Sequence, residues 1–350
     1  MTMNPLNRTA ADDIQHRLFS AARALGTADP FTPSRDLFMR TFQYPADDWR
    51  YRRNALLPMA VPFEPSFSEN QPNILRFTIE PLPPEAGSID RRDESTREMR
   101  RLIGNFVGRD ALKWFDGASE PYRGFAGGGN GNLDYGAFFG SSYDRDGLYA
   151  SKVYYELPKG AGTIDNLPLS LGRIVQAALH HVPGLRPLFT TLAAQRDLGG
   201  QRLTFACTEP LKLADLQTVL DALGLGHRLP GIMQMIGLVL GGRFELPANA
   251  ALLAFGDGPS GPDFEIYVLL SEIPDVPPSF LSLLTMGLAE RPRGLAALER
   301  WMGAFTPEDE NWPGRFSIVS LRTDATAPPR LSLYLRPIEF ELPEAIPQAA

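Results

Sequence analysis

Cationic and tyrosine side chains recur at alternate positions of several strand-like segments in this sequence. Lys152 and Tyr154 share one face of LYASKVYYEL (148–157), because side chains alternate between the two faces of a strand. Arg76 stands among apolar neighbours in NILRFTIE (73–80), which also alternates. Arginine and lysine neutralise anions, and tyrosine hydroxyls donate hydrogen bonds to phosphoryl oxygens. The pattern indicates a site for a large ligand with an anionic group.

Two later segments repeat this arrangement. Glu265 and Tyr267 share a face of FEIYVLL (264–270). One face of RLSLYLRP (330–337) carries Arg330, Ser332, Tyr334 and Arg336. Tyrosine rings can shield a carbocation from water through cation–π attraction. These faces fit the inside of a barrel with a polar lumen, and they fit the outside of exposed strands equally well, so the pattern alone leaves both interpretations open.

Helical segments and strand pairs alternate along the chain. Residues 1–50 are predicted to form an N-terminal helical segment, whereas 56–66 cannot form a regular helix because they contain three prolines. The other predicted elements are helices at 95–115, 170–195, 213–240 and 278–305, single strands at 73–80 and 202–208, and strand pairs at 133–143 with 148–157, 250–255 with 264–270 and 316–322 with 330–336. The glycine-rich link at 124–132 is predicted to be a flexible or substrate-covering loop.

The strand pairs decide the fold class. Strands that occur as hairpins, rather than singly between helices, argue against a βαβ arrangement. A helix–hairpin unit cannot bury both faces of its hairpin alone, whereas closing the hairpins into one barrel with the helices outside does so. The sequence therefore predicts an α+β protein in which residues 1–350 form a single domain.

Composition and missing motifs exclude several classes of protein. The chain has 350 residues and a net charge of −7 without basic runs, which argues against a nucleic-acid partner. Its one cysteine, Cys207, excludes a disulfide scaffold. No apolar run reaches the ~18 residues needed to cross a bilayer, and no signal peptide is recognisable, so we expect a cytoplasmic protein without membrane contact. Nucleotide-loop, HExxH, GxSxG and DDxxD motifs are all missing, so no metal site is predicted.

Three segments, in order, resemble the dimethylallyl tryptophan synthase family of aromatic prenyltransferases. The first is PFEPSFSENQ followed by ILRFTIEP (62–81), the second is SKVYYEL (151–157), and the third is the closing pair SIVSLRTD (317–324) and RLSLYLRP (330–337). The resemblance covers about residues 55–340. It implies the ABBA fold, an antiparallel barrel of about ten strands surrounded by helices.

The resemblance also implies a reaction. The family moves a prenyl group from an allylic diphosphate to an electron-rich aromatic ring, often an indole, in secondary metabolism such as alkaloid biosynthesis, and it requires no metal or other cofactor. Glu64 matches the glutamate that binds the indole N–H and assists deprotonation. The residues that match the diphosphate-binding and cation-shielding positions are Arg76, Lys152, Tyr154, Tyr267 and Tyr334.

One hairpin departs from the family pattern. The family's middle hairpin carries Arg-x-Lys-x-Tyr, and the residues aligned with it here are Asp263, Glu265 and Tyr267. Two like charges beside a diphosphate would each oppose its binding in a low-dielectric lumen. Arginines on neighbouring segments could compensate, namely Arg243, Arg322, Arg330 and Arg336. Three alternatives follow: an error of register, a barrel that cyclises or rearranges a prenylated compound without diphosphate, or a non-catalytic barrel that binds a hydrophobic ligand.

Overall fold

Ten antiparallel strands close into a barrel in the computed structural model, which describes residues 8–123, 133–158, 164, 166–196 and 199–343. The glycine-rich link predicted as a loop lies outside the described residues. Around the barrel the strands follow the order β1, β12, β11, β10, β9, β6, β5, β4, β3 and β2. The bounds are β1 Phe63–Ser68, β2 Leu75–Ile79, β3 Ala137–Asp144, β4 Gly147–Glu156, β5 Leu185–Gln195, β6 Gly199–Cys207, β7 Leu211–Lys212, β8 Glu245–Leu246, β9 Ala251–Gly258, β10 Gly261–Leu269, β11 Gly314–Asp324 and β12 Arg330–Pro337. Strands β7 and β8 pair with each other outside the barrel.

Helices cover the outside of the barrel. They are α1 Ala10–Leu25, α2 Arg35–Thr41, α3 Ser88–Leu102, α4 Arg109–Arg123, α5 Leu169–His181, α6 Leu216–Ala222, α7 Leu229–Val239, α8 Phe280–Gly287 and α9 Pro292–Phe305. A capping box of Thr9 and Asp12 starts α1, and Gly26 ends it with a left-handed φ of 70°. None of the helices in the described ranges is both long and apolar enough to cross a membrane. The predicted α+β class with an ABBA-type barrel is confirmed; the single-domain organisation of residues 1–350 stays a prediction.

Burial alternates along the strands and separates the two faces of the barrel wall. On β12, Leu331, Leu333 and Leu335 are completely buried, whereas Ser332 and Tyr334 between them are partly accessible. The leucines belong to the apolar core between the barrel and the helices. Ser332 and Tyr334 line the cavity inside the barrel. The polar face of this strand therefore points into the lumen, which decides the question that the sequence pattern left open.

Two strands were not predicted from the sequence. Residues 63–68 form β1, in a region where the prolines excluded a regular helix and no strand was assigned. Pro65 is tolerated there because it pairs with β2, while pairing with β12 begins only at Ser66. Residues 185–195 form β5 rather than the end of a helix. The β-branched Thr190 and Thr191 favour a strand at this point, and Pro187 disfavours a helix interior.

With β1 and β5 added to the predicted strands, a different hairpin becomes the middle one. The barrel consists of five hairpins in chain order, and β5–β6 is the third. Asp263 and Glu265 lie on β10, in the fourth hairpin, so their alignment with the family's middle hairpin was wrong. The lumen-facing residues of the third hairpin's second strand include Gly200, Arg202 and Thr204. A cation, Arg202, thus stands on the middle hairpin after all.

Candidate active site

A cavity of about 510 Å³ occupies one end of the barrel lumen. All five residues predicted for the diphosphate site line it: Arg76, Lys152, Tyr154, Tyr267 and Tyr334. Asp263, Glu265 and Arg322 line it as well. Strand alternation places them there, because each lies at an inward position of its strand. The structure thus brings eight of the ten predicted site residues into one cavity, and Glu64 and Arg336 lie outside its lining.

Arg76 on β2 and Lys152 on β4 form a cationic pair in this cavity. The Arg76 guanidinium donates a hydrogen bond to Gln71, whose amide donates to the Tyr149 hydroxyl at 2.6 Å. Burial lowers the pKa of Arg76 to about 10. Burial, reinforced by the nearby charges of Arg76 and Arg322, lowers the pKa of Lys152 to about 7. Because an added anion would stabilise both charges, this part of the lumen suits a phosphoryl group.

Three tyrosines lie around the cations. The rings of Tyr267 and Tyr334 are 6.1 Å apart between centroids, and the Tyr154 ring meets Phe189 edge-to-face at 5.7 Å. Burial raises the pKa of Tyr154 to about 12, and it raises the pKa values of Tyr267 and Tyr334 well above 10. All three hydroxyls therefore stay protonated at neutral pH. They can donate hydrogen bonds to an anion while their rings face an apolar or cationic group.

The two lumen carboxylates are paired with arginines. Arg202 on β6 reaches both of them, with its Nη1 at 2.5 Å from Glu265 Oε2 and its Nη2 at 2.8 Å from Asp263 Oδ1. Arg322 on β11 lies 3.0 Å from Asp263 Oδ2, and Ser320 donates to Glu265 at 2.7 Å. Burial opposes the charge of Glu265, but the two arginines together lower its pKa to about 2. Glu265 is therefore ionised, and both acids already contact arginines of the protein.

Arg322 is the predicted compensating cation that does neutralise the lumen acids. The other three arginines considered for that role bind elsewhere: Arg243 donates to the Pro274 carbonyl, Arg330 pairs with Glu69, and Arg336 donates to the Pro58 carbonyl. Sequence reasoning missed Arg202. Its signal was present, since an arginine begins the alternating run RLTFAC at the predicted strand 202–208.

Glu64 on β1 is a buried carboxyl deeper in the lumen. It lies two residues beyond Ser66, which lines the cavity, and is therefore about 7 Å farther along the same face. Glu64 is 3% exposed, and the Ser317 hydroxyl donates to Oε1 at 2.7 Å. Burial raises the pKa of Glu64 to about 7, with the Ser317 hydrogen bond acting in the opposite direction. A carboxyl in this range can take up a proton at neutral pH.

Ser317 was also missed by sequence reasoning. The pairing of β11 with β12 shifts register between Phe316 and Ile318, so Ser317 occupies an irregular position. Such a bulge re-aims one side chain out of the regular alternation, here towards Glu64. Regular strand alternation cannot predict that contact.

No metal centre is apparent in the part of the chain that the structure describes. His, Cys, Asp and Glu side chains there form no group of three or more that could hold an ion. The lumen acids Asp263 and Glu265 each contact an arginine, and Cys207 is buried.

Comparison with known proteins supports the fold. No protein-family model matches the sequence, and no curated protein matches it. Solved structures do match: a 6-dimethylallyl tryptophan synthase superposes with a TM-score of 0.74 at 16% identity, over 96% of this chain and 98% of that one. The chain has the fold of the ABBA prenyltransferases.

Two further structures agree over nearly the whole chain. A 6-dimethylallyltryptophan synthase from Micromonospora olivasterospora, solved in complex with DMASPP and Trp, has a TM-score of 0.72 at 17% identity, covering 96% of this chain and 100% of that one. A 5-dimethylallyltryptophan synthase from Streptomyces coelicolor has a TM-score of 0.70 at 16% identity, with the same two coverages. At these identities the likeness concerns the ABBA barrel and its helices.

Proposed function

We propose that the protein is an aromatic prenyltransferase. It moves a prenyl group from an allylic diphosphate to an electron-rich aromatic acceptor such as an indole. The observation that carries this proposal is the order of groups along one lumen: a cationic pair at the cavity, tyrosine rings beside it, and the buried carboxyl of Glu64 beyond. The similarity of the fold to those of tryptophan prenyltransferases supports the proposal.

The first step is ionisation of the donor. The carbon–oxygen bond of the ester breaks, and its electron pair stays on the phosphate oxygen. Arg76 and Lys152 stabilise the charge that develops there, while the hydroxyls of Tyr154, Tyr267 and Tyr334 donate hydrogen bonds. The tyrosine rings face the allylic cation and exclude water that would otherwise capture it.

The second step joins the cation to the aromatic ring. A ring carbon attacks the allylic carbon, and the resulting cationic ring must lose a proton to regain aromaticity. Glu64 accepts a hydrogen bond from an acceptor N–H, which raises the electron density of the ring. Its carboxylate also lies where it can assist removal of the proton. Ser317 holds the Glu64 carboxyl in position.

The paired acids disfavour a cyclase or rearrangement chemistry that would use Asp263 and Glu265 as acid and base. Arg202 and Arg322 bind their oxygens, and the pKa of Glu265 is lowered to about 2. A general acid needs a proton to donate near neutral pH, which an ionised, arginine-bound carboxylate lacks. A structural role for these two carboxylates agrees better with the contacts.

The test is incubation of the protein with L-tryptophan and other indoles, together with dimethylallyl, geranyl or farnesyl diphosphate. We expect a prenylated product by mass spectrometry and stoichiometric release of diphosphate. Activity should survive EDTA, because we propose that no metal is required. Absence of both product and diphosphate release across the panel would overturn the proposal.

Glu64→Gln separates catalysis from mere ligand binding. Without its carboxylate we expect turnover to fall about a hundredfold, which is typical for loss of a general base. Donor binding, measured by calorimetry, should change little because the cations are intact. Tight ligand binding without any turnover in the wild type would instead favour the non-catalytic barrel.

The cytoplasmic location expected from the sequence stays a prediction.

A further inference from the structure

Gly140 on β3 lines the cavity at a position that has no side chain. It lies in register with Thr78 of β2 and Lys152 of β4, which line the cavity as well. Its φ is outside the left-handed region, so the backbone conformation at this position does not require glycine. Glycine also weakens a strand, because it contributes no side chain to packing. What distinguishes this position is therefore the space around it.

The ring of Tyr154 occupies the space in front of Gly140. A Cβ added to this glycine would lie 3.3 Å from Tyr154 Cε2, 3.4 Å from the Phe77 carbonyl oxygen and 3.6 Å from Thr78 Oγ1. The first of these distances is shorter than most Cβ contacts in proteins, so the ring would have to move by a few tenths of an ångström. The Tyr154 ring thus packs against the backbone of β3, and a side chain at Gly140 would displace it.

The neighbours of the Tyr154 ring decide the direction of that displacement. Tyr154 lies on β4, between β3 and β5. On the β5 side, Phe189 meets its ring edge-to-face at 5.7 Å between centroids. On the β3 side, Phe138 is in register with Tyr154 and stacks on Tyr135 at 4.1 Å, so that space is filled as well. A side chain at Gly140 would therefore push the Tyr154 ring into the lumen.

A glycine on the other side of the barrel makes room for a side chain in the same way. Gly256 on β9 is in register with Arg202 of β6 and with Asp263 of β10. A Cβ added at Gly256 would lie 2.9 Å from Arg202 Cγ and 2.9 Å from both carboxylate oxygens of Asp263. The barrel wall thus lacks a side chain where an arginine crosses one strand and where a tyrosine ring packs against another.

We propose that Gly140 is a positioning residue: by leaving room for the Tyr154 ring, it keeps the allylic cation in line with the aromatic acceptor. This inference rests on the proposed function, in which that ring faces the cation. A ring pushed into the lumen would move the allyl group away from the attacking ring carbon, and attack would slow. Water would then capture more of the cation. In that side reaction a water oxygen bonds to the allylic carbon, a proton goes to solvent, and a prenyl alcohol forms beside diphosphate.

The test measures how each turnover ends. Gly140→Ala and Gly140→Val are incubated with dimethylallyl diphosphate and the indole that the wild type prenylates fastest, and prenylated indole and dimethylallyl alcohol are both quantified. We expect the alcohol share to rise in the alanine variant and to rise further in the valine variant. The kcat for prenylation should fall about tenfold and about a hundredfold respectively, since a misplacement of about 1 Å can cost about a hundredfold. The KM for the donor should change less, because the cationic pair is intact.

Gly200 offers the matched control. It lines the same cavity on β6, and a Cβ added there would meet no atom within 4 Å. Gly200→Ala and Gly200→Val therefore add the same groups to the lumen without displacing a ring. Both variants should keep the product ratio of the wild type.

Tyr154→Ala shows whether Gly140 acts through the ring. Without the ring, a side chain at Gly140 has nothing to displace, so G140V should add little to the alcohol share of Y154A. Effects of G140V and Y154A that simply add would overturn the inference, because Gly140 would then act on the ligand directly.

The remaining outcomes separate this inference from the proposed function. A folded G140V with the product ratio of the wild type overturns the inference alone, as does an equal change in G200V. Should G140V fail to fold, as judged by circular dichroism, G140A decides by the same criteria, since its ring has to move only a few tenths of an ångström. A wild type that consumes no donor with any acceptor refutes the proposed function, and the inference with it.

Discussion

The two sides of the lumen treat buried charge in opposite ways. On the side of β6, β10 and β11, called here the paired wall, Arg202 and Arg322 contact Asp263 and Glu265, and the pKa of Glu265 is lowered to about 2. On the side of β1, β2 and β4, called here the unpaired wall, Glu64, Arg76 and Lys152 contact no oppositely charged group among the described residues.

Burial without a partner moves both Glu64 and Lys152 towards neutrality, each to a pKa of about 7. A buried charge that already has a counter-ion in the protein stabilises the barrel but interacts less strongly with a charged ligand. A buried charge without a counter-ion destabilises the barrel, and it is stabilised most when a ligand of opposite charge binds. The difference indicates that the paired wall shapes the site and that the unpaired wall performs the chemistry.

Arg202→Met should have the largest effect, and on stability rather than on chemistry. It leaves Asp263 with one arginine and Glu265 with none, and breaking a buried ion pair from one side costs about 3–5 kcal/mol. We expect a loss of that order in the free energy of unfolding, measured by urea denaturation. The triple variant R202M/D263N/E265Q should recover most of it. A single variant as stable as the wild type would show that the paired wall is not a structural element.

Lys152→Met should act in the opposite sense. Removing an unpaired buried cation relieves the cost of burying it, so the protein should not lose stability through electrostatics. The donor loses a contact that strengthens as charge develops on the leaving oxygen, and kcat/KM for the donor should fall about a hundredfold. The measurement is steady-state kinetics beside urea denaturation of the same sample. A large loss of stability with unchanged kcat/KM would contradict the assignment of Lys152 to the unpaired wall.

Much of this arrangement was predictable from the local sequence, and the parts that were not predictable have a physical reason. Alternation placed Lys152, Tyr154 and Tyr334 correctly, because a two-residue period needs no knowledge of neighbouring strands. The Arg202–Asp263 contact spans three strands and depends on Gly256. Such a contact is set by the register of distant segments, which a local pattern does not contain.

The main error in the fold had a local signal. Strand β5 was predicted as the end of a helix although Pro183, Gly184 and Pro187 interrupt the helical pattern, and pairing with β4 and β6 forms the strand. Missing β5 moved the middle hairpin by one and put Asp263 in the wrong place. The arginine that neutralises it was consequently overlooked.

The pH dependence of kcat/KM should show the unpaired wall directly. Glu64 must be ionised to accept a proton, so activity rises as pH increases through a pKa of about 7. Lys152 must be protonated to bind the donor, so activity falls as pH increases through a pKa of about 7. The profile of kcat/KM, which reports the free enzyme, should be a narrow bell centred near pH 7.

Two variants assign the limbs of that bell. Glu64→Gln should abolish the acidic limb in its residual activity, and Lys152→Arg should move the alkaline limb to higher pH. Glu265 should contribute no limb near neutral pH, because its pKa of about 2 keeps it ionised throughout. A limb that persists unchanged in both variants would mean that the titrating groups lie elsewhere.

The smallest expected effect concerns Ser317, whose hydroxyl donates the one hydrogen bond that Glu64 receives from a described side chain. This bond favours the ionised carboxyl, so it partly opposes the rise in pKa that burial causes. In Ser317→Ala, the acidic limb of the kcat/KM profile should move up by about one pH unit, since one hydrogen bond to a charged group contributes at least about 1.5 kcal/mol. Ser320→Ala is the matched control on the same strand: its hydroxyl donates to Glu265 on the paired wall, where two arginines already hold the carboxylate ionised. An equal shift in both variants would mean that the two walls do not differ in how they hold charge.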